Sequence, residues 1–287
     1  MSEVILVSDF FKTDLTGGAE LTLDSLISYK PEKVNLTKMH SHLVNSKFVE
    51  ENTEKVWIIG NSINIPEKVK LLFCKLKLNY HVIEFDYKFC KYRSFKKHQA
   101  VEKKECDCHV DRLSKLSIAF LLYAKTRWFM SEEQKNIHIN KISSLKKCNN
   151  KVLSSVFSRG DLDFLKNISE NEKDDSYFIL KSNNWIKGKN SCINYAKKNK
   201  LEYELIGGLP YHELLIKMST KKGIIYMPED NDTCPRLIIE SYLLGCEQHM
   251  NDHVQHKDES WFNSGVEKCY EYLRERPNAF WEYMTNE

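Results

Sequence analysis

Between residues 227 and 240 the chain reads Met-Pro-Glu-Asp-Asn-Asp-Thr-Cys-Pro-Arg-Leu-Ile-Ile-Glu, directly after the apolar run Gly223-Ile-Ile-Tyr226. Two acids, Asp232 and Glu240, stand eight residues apart with Pro235 and Arg236 between them. Proline is favoured in the first turn of a helix, where its missing N–H would have no partner anyway, so a helix is expected to open at Pro235. The positive end of such a helix is a site for an anion such as a diphosphate, and Arg236 adds a fixed charge. One acid would then lie at the helix mouth and the other about two turns further on, able to grip polar groups at two distances from a phosphate. Glu229 and Thr233 belong to the same approach loop.

A second pattern of this kind lies near the N-terminus. The run Val4-Ile-Leu-Val7 leads through Ser8-Asp-Phe-Phe-Lys-Thr-Asp-Leu-Thr into Gly17-Gly18-Ala-Glu20. Paired glycines let a backbone approach a ligand closely and open a helix N-terminus toward it. The alternative is a tight strand-to-helix turn in which Glu20 is simply an acid near the helix N-terminus.

The 227–240 segment resembles the acid-x7-acid donor motif of GT-B glycosyltransferases related to glycogen synthase and sucrose synthase. The resemblance implies two Rossmann-like domains whose parallel sheets face each other across a cleft, and a nucleotide-diphosphate sugar, most simply a UDP-sugar, as donor. It implies that Asp232, or nearby Glu229, addresses the transferred sugar and that Glu240 holds the ribose hydroxyls. Asn183-Asn-Trp-Ile-Lys187-Gly188 resembles the family's phosphate clamp, which makes Lys187 a diphosphate ligand. The family's upstream arginine is missing, with Lys181 and Ser182 near its place, so Arg236 is expected to supply the second charge. The Gly17-Gly18 loop matches the family's Gly-Gly-Ala-Glu type, which assigns these glycines to donor phosphate or acceptor approach. Lys187, Arg236, Asp232 and Glu240 are thus the expected catalytic set, with Gly188 and Pro235 completing the donor site. No cofactor or metal is expected, and the family's branch retains anomeric configuration.

The surrounding pattern is α/β. Short apolar runs alternate with helix-period segments, as in parallel sheets covered by helices. Strands are expected at residues 4–7, 56–60, 81–85, 126–130 and 152–157, with helices at 19–27 and 113–125. The second half reads strand 177–180, helix 189–198, strand 203–206, helix 211–218, strand 223–227 and helix 235–244. Ser158-Arg-Gly-Asp161 and the polar run Ser169–Ser176 favour a solvated connection, which places the domain boundary near residue 160. The expected division is an acceptor-binding domain over residues 1–160, a nucleotide-sugar-binding domain over 161–274, and a closing helix at about 275–287 that packs back on the first domain.

At 287 residues and 41% hydrophobic, the chain is long and apolar enough for two globular domains. A formal net charge of +3 argues against wholesale nucleic-acid binding, although residues 68–104 carry eleven Lys/Arg against three acids. Nine cysteines, an odd number, favour a reducing compartment over a disulfide framework. Met1-Ser-Glu runs straight into a strand without a basic leader, and the longest apolar stretch, Ile118–Ala124, is far too short to span a membrane, so a cytoplasmic location is expected.

Tyr80–Ser94 is dense in aromatic and basic residues and is where an acceptor glycan, small molecule or DNA would be sought, with Asp86, Lys88 and Arg93 as candidates. One alternative function is therefore transfer to a hydroxymethylated base in DNA, as some viral enzymes of the fold perform; another is nucleotide-sugar binding without catalysis. Cys90, Cys106, Cys108 and His109, with His98 upstream, have ligand types suited to zinc but lack Cys-x2-Cys spacing, and buried reduced thiols explain them as simply. His40-Ser-His42 and His253-Val-Gln-His256 read as surface histidines.

Overall fold

A computed structural model describes residues 2–286; Met1, Glu287 at the end of the expected closing helix, and the side chains of Arg112 and Leu113 lie outside the described residues. The chain forms two compact units, Met1–Val156 with Arg276–Glu287, and Phe157–Glu275. Each is an α/β unit built on a parallel sheet.

In the first unit, β1 (Ser2–Ser8), β2 (Val34–His40), β3 (Val56–Ile59), β4 (Tyr80–Glu84), β5 (Thr126–Phe129) and β6 (Asn150–Val152) lie in the order β2-β1-β3-β4-β5-β6. The central strands are covered on both faces, and Val4–Val7, Trp57–Ile59 and Tyr80–Glu84 are accordingly buried without alternation. Aromatic rings fill the core beside them: Trp57–Phe73, Phe73–Tyr80 and Tyr80–Phe120 centroids are 5.0, 5.3 and 4.9 Å apart. The loops beyond β1, β2 and β3 are tied together by Asp9, whose carboxylate accepts from Ser41 Oγ and from the backbone N–H groups of Ile63 and Asn64, both at 3.1 Å.

In the second unit, β7 (Asp174–Leu180), β8 (Tyr203–Ile206), β9 (Lys221–Tyr226) and β10 (Glu247–Met250) lie in the order β10-β9-β7-β8. In both sheets the first strand has later strands on either side, so chain order reverses between β1 and β3 and between β7 and β9. Ligands of open parallel sheets bind beyond the carboxyl ends of the strands at such reversals.

Two strands, β2 and β10, were not expected from the sequence. Both are edge strands with polar residues on much of their length, so the apolar run that marks a central strand is absent. The strand expected at 152–157 lies earlier, at Asn150–Val152: pairing with β5 ends at Val152, and Leu153, Val156 and Phe157 are buried as irregular chain, with Ser154 in left-handed backbone at φ 63°. Ser158–Asp161 is no open connection. Ser158 caps the helix Arg159–Ile168, accepting from Asp161 N at 3.0 Å.

The last helix spans Val266–Asn286, and its residues from Arg276 onward belong to the first unit. There Trp281 Nε1 donates to Leu26 O at 2.7 Å, Phe280 packs on Trp128 with centroids 5.0 Å apart, and the Tyr283 hydroxyl lies 2.8 Å from Thr126 Oγ1. Among the described residues no helix is long and apolar enough to cross a membrane. Trp281 is buried, so Trp281→Ala should destabilise the first unit by about 3–5 kcal/mol. A lowered urea midpoint would register this; an unchanged midpoint would refute the docking of this helix.

Candidate active site

The two segments singled out by sequence meet at the reversal between β7 and β9. The chain leaving β7 forms a short turn, Trp185–Lys187, and Gly188 then takes left-handed backbone at φ 62°. A Cβ on Gly188 would stand 1.7 Å from the Met227 carbonyl oxygen, so only glycine lets the two backbones approach this closely. The Glu229 N–H donates to Ile186 O at 2.9 Å and closes the seam.

This seam sets Lys187 Nζ 2.7 Å from Asp232 Oδ2, which also accepts from the Tyr226 hydroxyl. Asp232 is fixed from its other side, since its N–H donates to His253 O at 2.8 Å and its carbonyl accepts from Gln255 N at 3.1 Å. Burial acts to raise the Asp232 carboxyl pKa, but the Lys187 charge and the bonds from Lys187 and Tyr226 outweigh it and hold the group below its ordinary range. His256 lies beneath, fully buried against Trp261 and Phe262. It is therefore not a surface histidine: burial pushes its pKa down to about 3, against the pull of Asp232, and it is neutral.

The helix expected at Pro235 runs Arg236–Leu243, with Pro235 at the N-cap, one position outside it. The guanidinium of Arg236 stacks over Phe157 at 3.7 Å from the ring centroid. Its Nε donates to Glu240 Oε1 at 3.1 Å, one helical turn on, and its terminal nitrogen lies 3.4 Å from Asp161 Oδ2 and 3.1 Å from the Tyr211 hydroxyl. That hydroxyl donates to Glu240 Oε1 at 2.7 Å. Arg236 is thus held inward on Glu240, a placement different from the one beside a phosphate that its sequence position suggested. Burial leaves Glu240 with a raised pKa, opposed by the Arg236 charge and by its bonds to Tyr211 and Arg236. Asp161 and Tyr211 were not singled out by sequence; each opens a different helix, and no local spacing relates them to Glu240.

Glu229 accepts from Ser191 Oγ and lines a cavity of about 310 Å³ with Asn183, Asn184, Trp185, Gly188 and Asn190. The Trp185 ring is 43% exposed at this rim. Thr233 and Pro235 are buried in the loop leading to the helix.

In the first unit, Gly17 caps the helix Gly18–Ser28. The Glu20 carboxylate folds back so far that a Cβ on Gly17 would meet its Oε2 at 2.5 Å. Burial raises the Glu20 pKa, and backbone N–H groups of Glu20 and Gly17 counter it, so the chain's own carboxylate occupies this helix N-terminus. The geometry is that of the tight turn with an acid near the helix N-terminus. Lys88 and Arg93 line a separate cavity of about 310 Å³ with Lys70, Glu84 and Lys91. Asp86 accepts from Arg93 and lies 3.7 Å from Lys88 Nζ, which donates to Glu84 Oε1 at 3.0 Å. Burial and the neighbouring Lys88 charge lower the Lys70 pKa.

No family model and no curated protein matches the sequence. Solved structures match the fold. A trehalose-6-phosphate synthase studied for glycosyl transfer with retention aligns with a TM-score of 0.56 at 9% identity, over 96% of this chain and 91% of that one. Anabaena HepE in complex with UDP and glucose aligns at 0.55 and 10% identity, over 100% and 99%. An α-glucosyltransferase in complex with UDP-glucose and DNA containing an abasic site aligns at 0.50 and 8%, over 96% and 90%. The fold is GT-B: two Rossmann-like α/β units, as in these solved structures.

Two substitutions test the site's construction. Gly188→Ala should cost roughly 2–5 kcal/mol, from the left-handed backbone and the collision with Met227 O, read as a drop in Tm. A neutral result would show that the seam is loose. His256 has a folded pKa depressed below 6.5, so the stability it confers is complete above about 6.5 and is lost as pH falls toward about 3. His256→Phe should flatten the pH dependence of stability in that window by up to about 1.4 kcal/mol per pH unit, measured by urea denaturation between pH 4 and 7.

Proposed function

We propose that this protein transfers a sugar from a nucleotide-diphosphate donor, a UDP-sugar, to a hydroxyl acceptor with retention of anomeric configuration. The observation that carries the reading is the Lys187–Asp232 pair at the reversal between β7 and β9, beside the mouth of the helix that bears Glu240. The fold's likeness to proteins bound to UDP, glucose and UDP-glucose supports it.

In this reading Asp232 holds the place of the donor. An arriving diphosphate takes over Lys187 Nζ, and the released carboxylate accepts from hydroxyls of the sugar. Lys187 and the positive end of the helix Arg236–Leu243 then stabilise the negative charge that grows on the departing nucleotide diphosphate. Glu240 accepts from the ribose hydroxyls, and Arg236, Tyr211 and Asp161 act through it by holding its carboxylate in position. The exposed face of Trp185 offers stacking area for the base, and Glu229 a further carboxylate at the cavity rim. Gly17 and Gly18 approach the donor or acceptor only when Glu20 yields the helix N-terminus. The acceptor is held in the first unit, by Lys88, Arg93 and Asp86.

Thermal-shift titration with UDP and UDP-sugars should raise the apparent Tm with ligand concentration. Lys187→Ala should weaken UDP binding by about 1.5–3 kcal/mol, or roughly 10- to 150-fold. Glu240→Ala should abolish transfer and donor hydrolysis, and NMR of the product would give the anomeric outcome. Tight UDP-sugar binding without turnover over a broad acceptor panel would instead identify a non-catalytic nucleotide-sugar-binding protein.

The cations Lys70, Lys88, Lys91 and Arg93 around one cavity favour an anionic acceptor, and a hydroxymethylated base in DNA is the second reading. Filter binding should then show DNA affinity that falls steeply with salt. Absence of affinity at low salt would eliminate DNA as acceptor and leave the donor reading untouched.

A further inference from the structure

We infer that Cys90, His98, Cys106 and Cys108 form a zinc site that staples the segment between β4 and the helix Arg112–Tyr123. The four side chains are buried, and their ligand atoms all lie within 4.8 Å of one another. His98 Nδ1 is 3.3 Å from Cys108 Sγ and 3.9 Å from Cys90 Sγ. Tetrahedral zinc with metal–sulfur bonds of about 2.3 Å and metal–nitrogen bonds of about 2.0 Å separates its ligand atoms by roughly 3.5–3.8 Å, so small adjustments close the shell. Three thiolates and one imidazole are a set that zinc favours in structural sites. The nitrogen ligand differs from the sequence expectation: His98, eight residues removed from Cys90 and from Cys106 on either side, takes the place of His109.

The second nitrogen of the ring supports this assignment. His98 Nε2 is buried without a hydrogen bond, and Asp107 Oδ1 stands 3.8 Å away. A zinc-bound imidazole that turns its other N–H toward a carboxylate is the usual arrangement, with the carboxylate fixing tautomer and ring orientation. The alternative, packed reduced thiols, accounts for the burial of three cysteines but not for a buried imidazole whose Nδ1 faces two sulfurs.

The segment needs a staple. Between Phe85 and Asp111 it contains only the helix Phe95–Glu102 and the short turn Cys108–Val110, and two non-glycine residues, Arg93 and Lys103, hold left-handed backbone. Lys91 and Arg93 lie between the first two ligands and line the basic cavity. The metal would therefore fix the positions of these cavity cations, which on the acceptor reading above meet the acceptor; the metal site itself does not rest on that reading.

The test uses the full chain, purified under reducing conditions and stripped with a chelator. Co(II) titration of wild type should saturate at about one equivalent, with the intense ligand-field and thiolate charge-transfer absorption of a tetrahedral site, and Zn(II) should displace it. His98→Ala and Cys106→Ser should lose that spectrum, His109→Ala should keep it, and Asp107→Asn should lower Zn(II) affinity by roughly 10- to 100-fold. The wild-type cobalt spectrum needs no variant and decides the matter even where His98→Ala fails to fold. A folded wild type without thiolate charge transfer would overturn the proposal, as would a spectrum that survives His98→Ala, or an intact mass that reveals a disulfide among the three cysteines.

Discussion

The second unit depends on one close backbone approach, that of Gly188 to the Met227 carbonyl. Nothing larger than a hydrogen fits between them, and the fit brings together two loops that leave different strands. Because the loops touch, a lysine and an aspartate 45 residues apart in sequence form a direct ion pair. Tyr226 at the end of β9 and the 251–257 stretch complete the cage around the aspartate. Sheet order supplies the reason: β7 and β9 are neighbours, so the loops at their carboxyl ends must share space.

The charged groups here are arranged in two nested pairs. Lys187–Asp232 remains partly open to solvent, whereas Arg236–Glu240 is closed off and roofed by Phe157. Buried ion pairs add little net stability, because desolvation offsets much of their attraction, yet removing one partner leaves an uncompensated charge at a cost of several kcal/mol. The inner pair therefore acts as a rigid fixture for a carboxylate, and Tyr211 and Asp161 complete its bonding. The outer pair can exchange partners with far less disruption.

Much of this was visible in the sequence, for physical reasons that differ by element. The central strands declared themselves as apolar runs because both faces of their sheets are covered. Helices Lys189–Lys198 and Arg236–Leu243 were bounded by a glycine and a proline that act at those positions in the structure. The edge strands β2 and β10 were not visible, since a strand paired on one side and partly solvated carries no such run. Side-chain direction was also beyond reach. The spacing of Asp232, Arg236 and Glu240 was readable, but that Arg236 turns inward to Glu240 depends on Asp161 and Tyr211, which arrive from distant helices. His256 shows the same limit, because a polar stretch gives no sign that one ring is wedged beneath Asp232.

The folded-back carboxylate of Glu20 makes the glycine loop of the first unit self-saturating. A helix N-terminus flanked by two glycines would ordinarily collect any small anion from solution, but here every such ion competes with a tethered group present at high effective concentration. A simple anion such as chloride or inorganic phosphate would have to displace that carboxylate without a tether of its own. A ligand that displaced it would have to bring further contacts of its own.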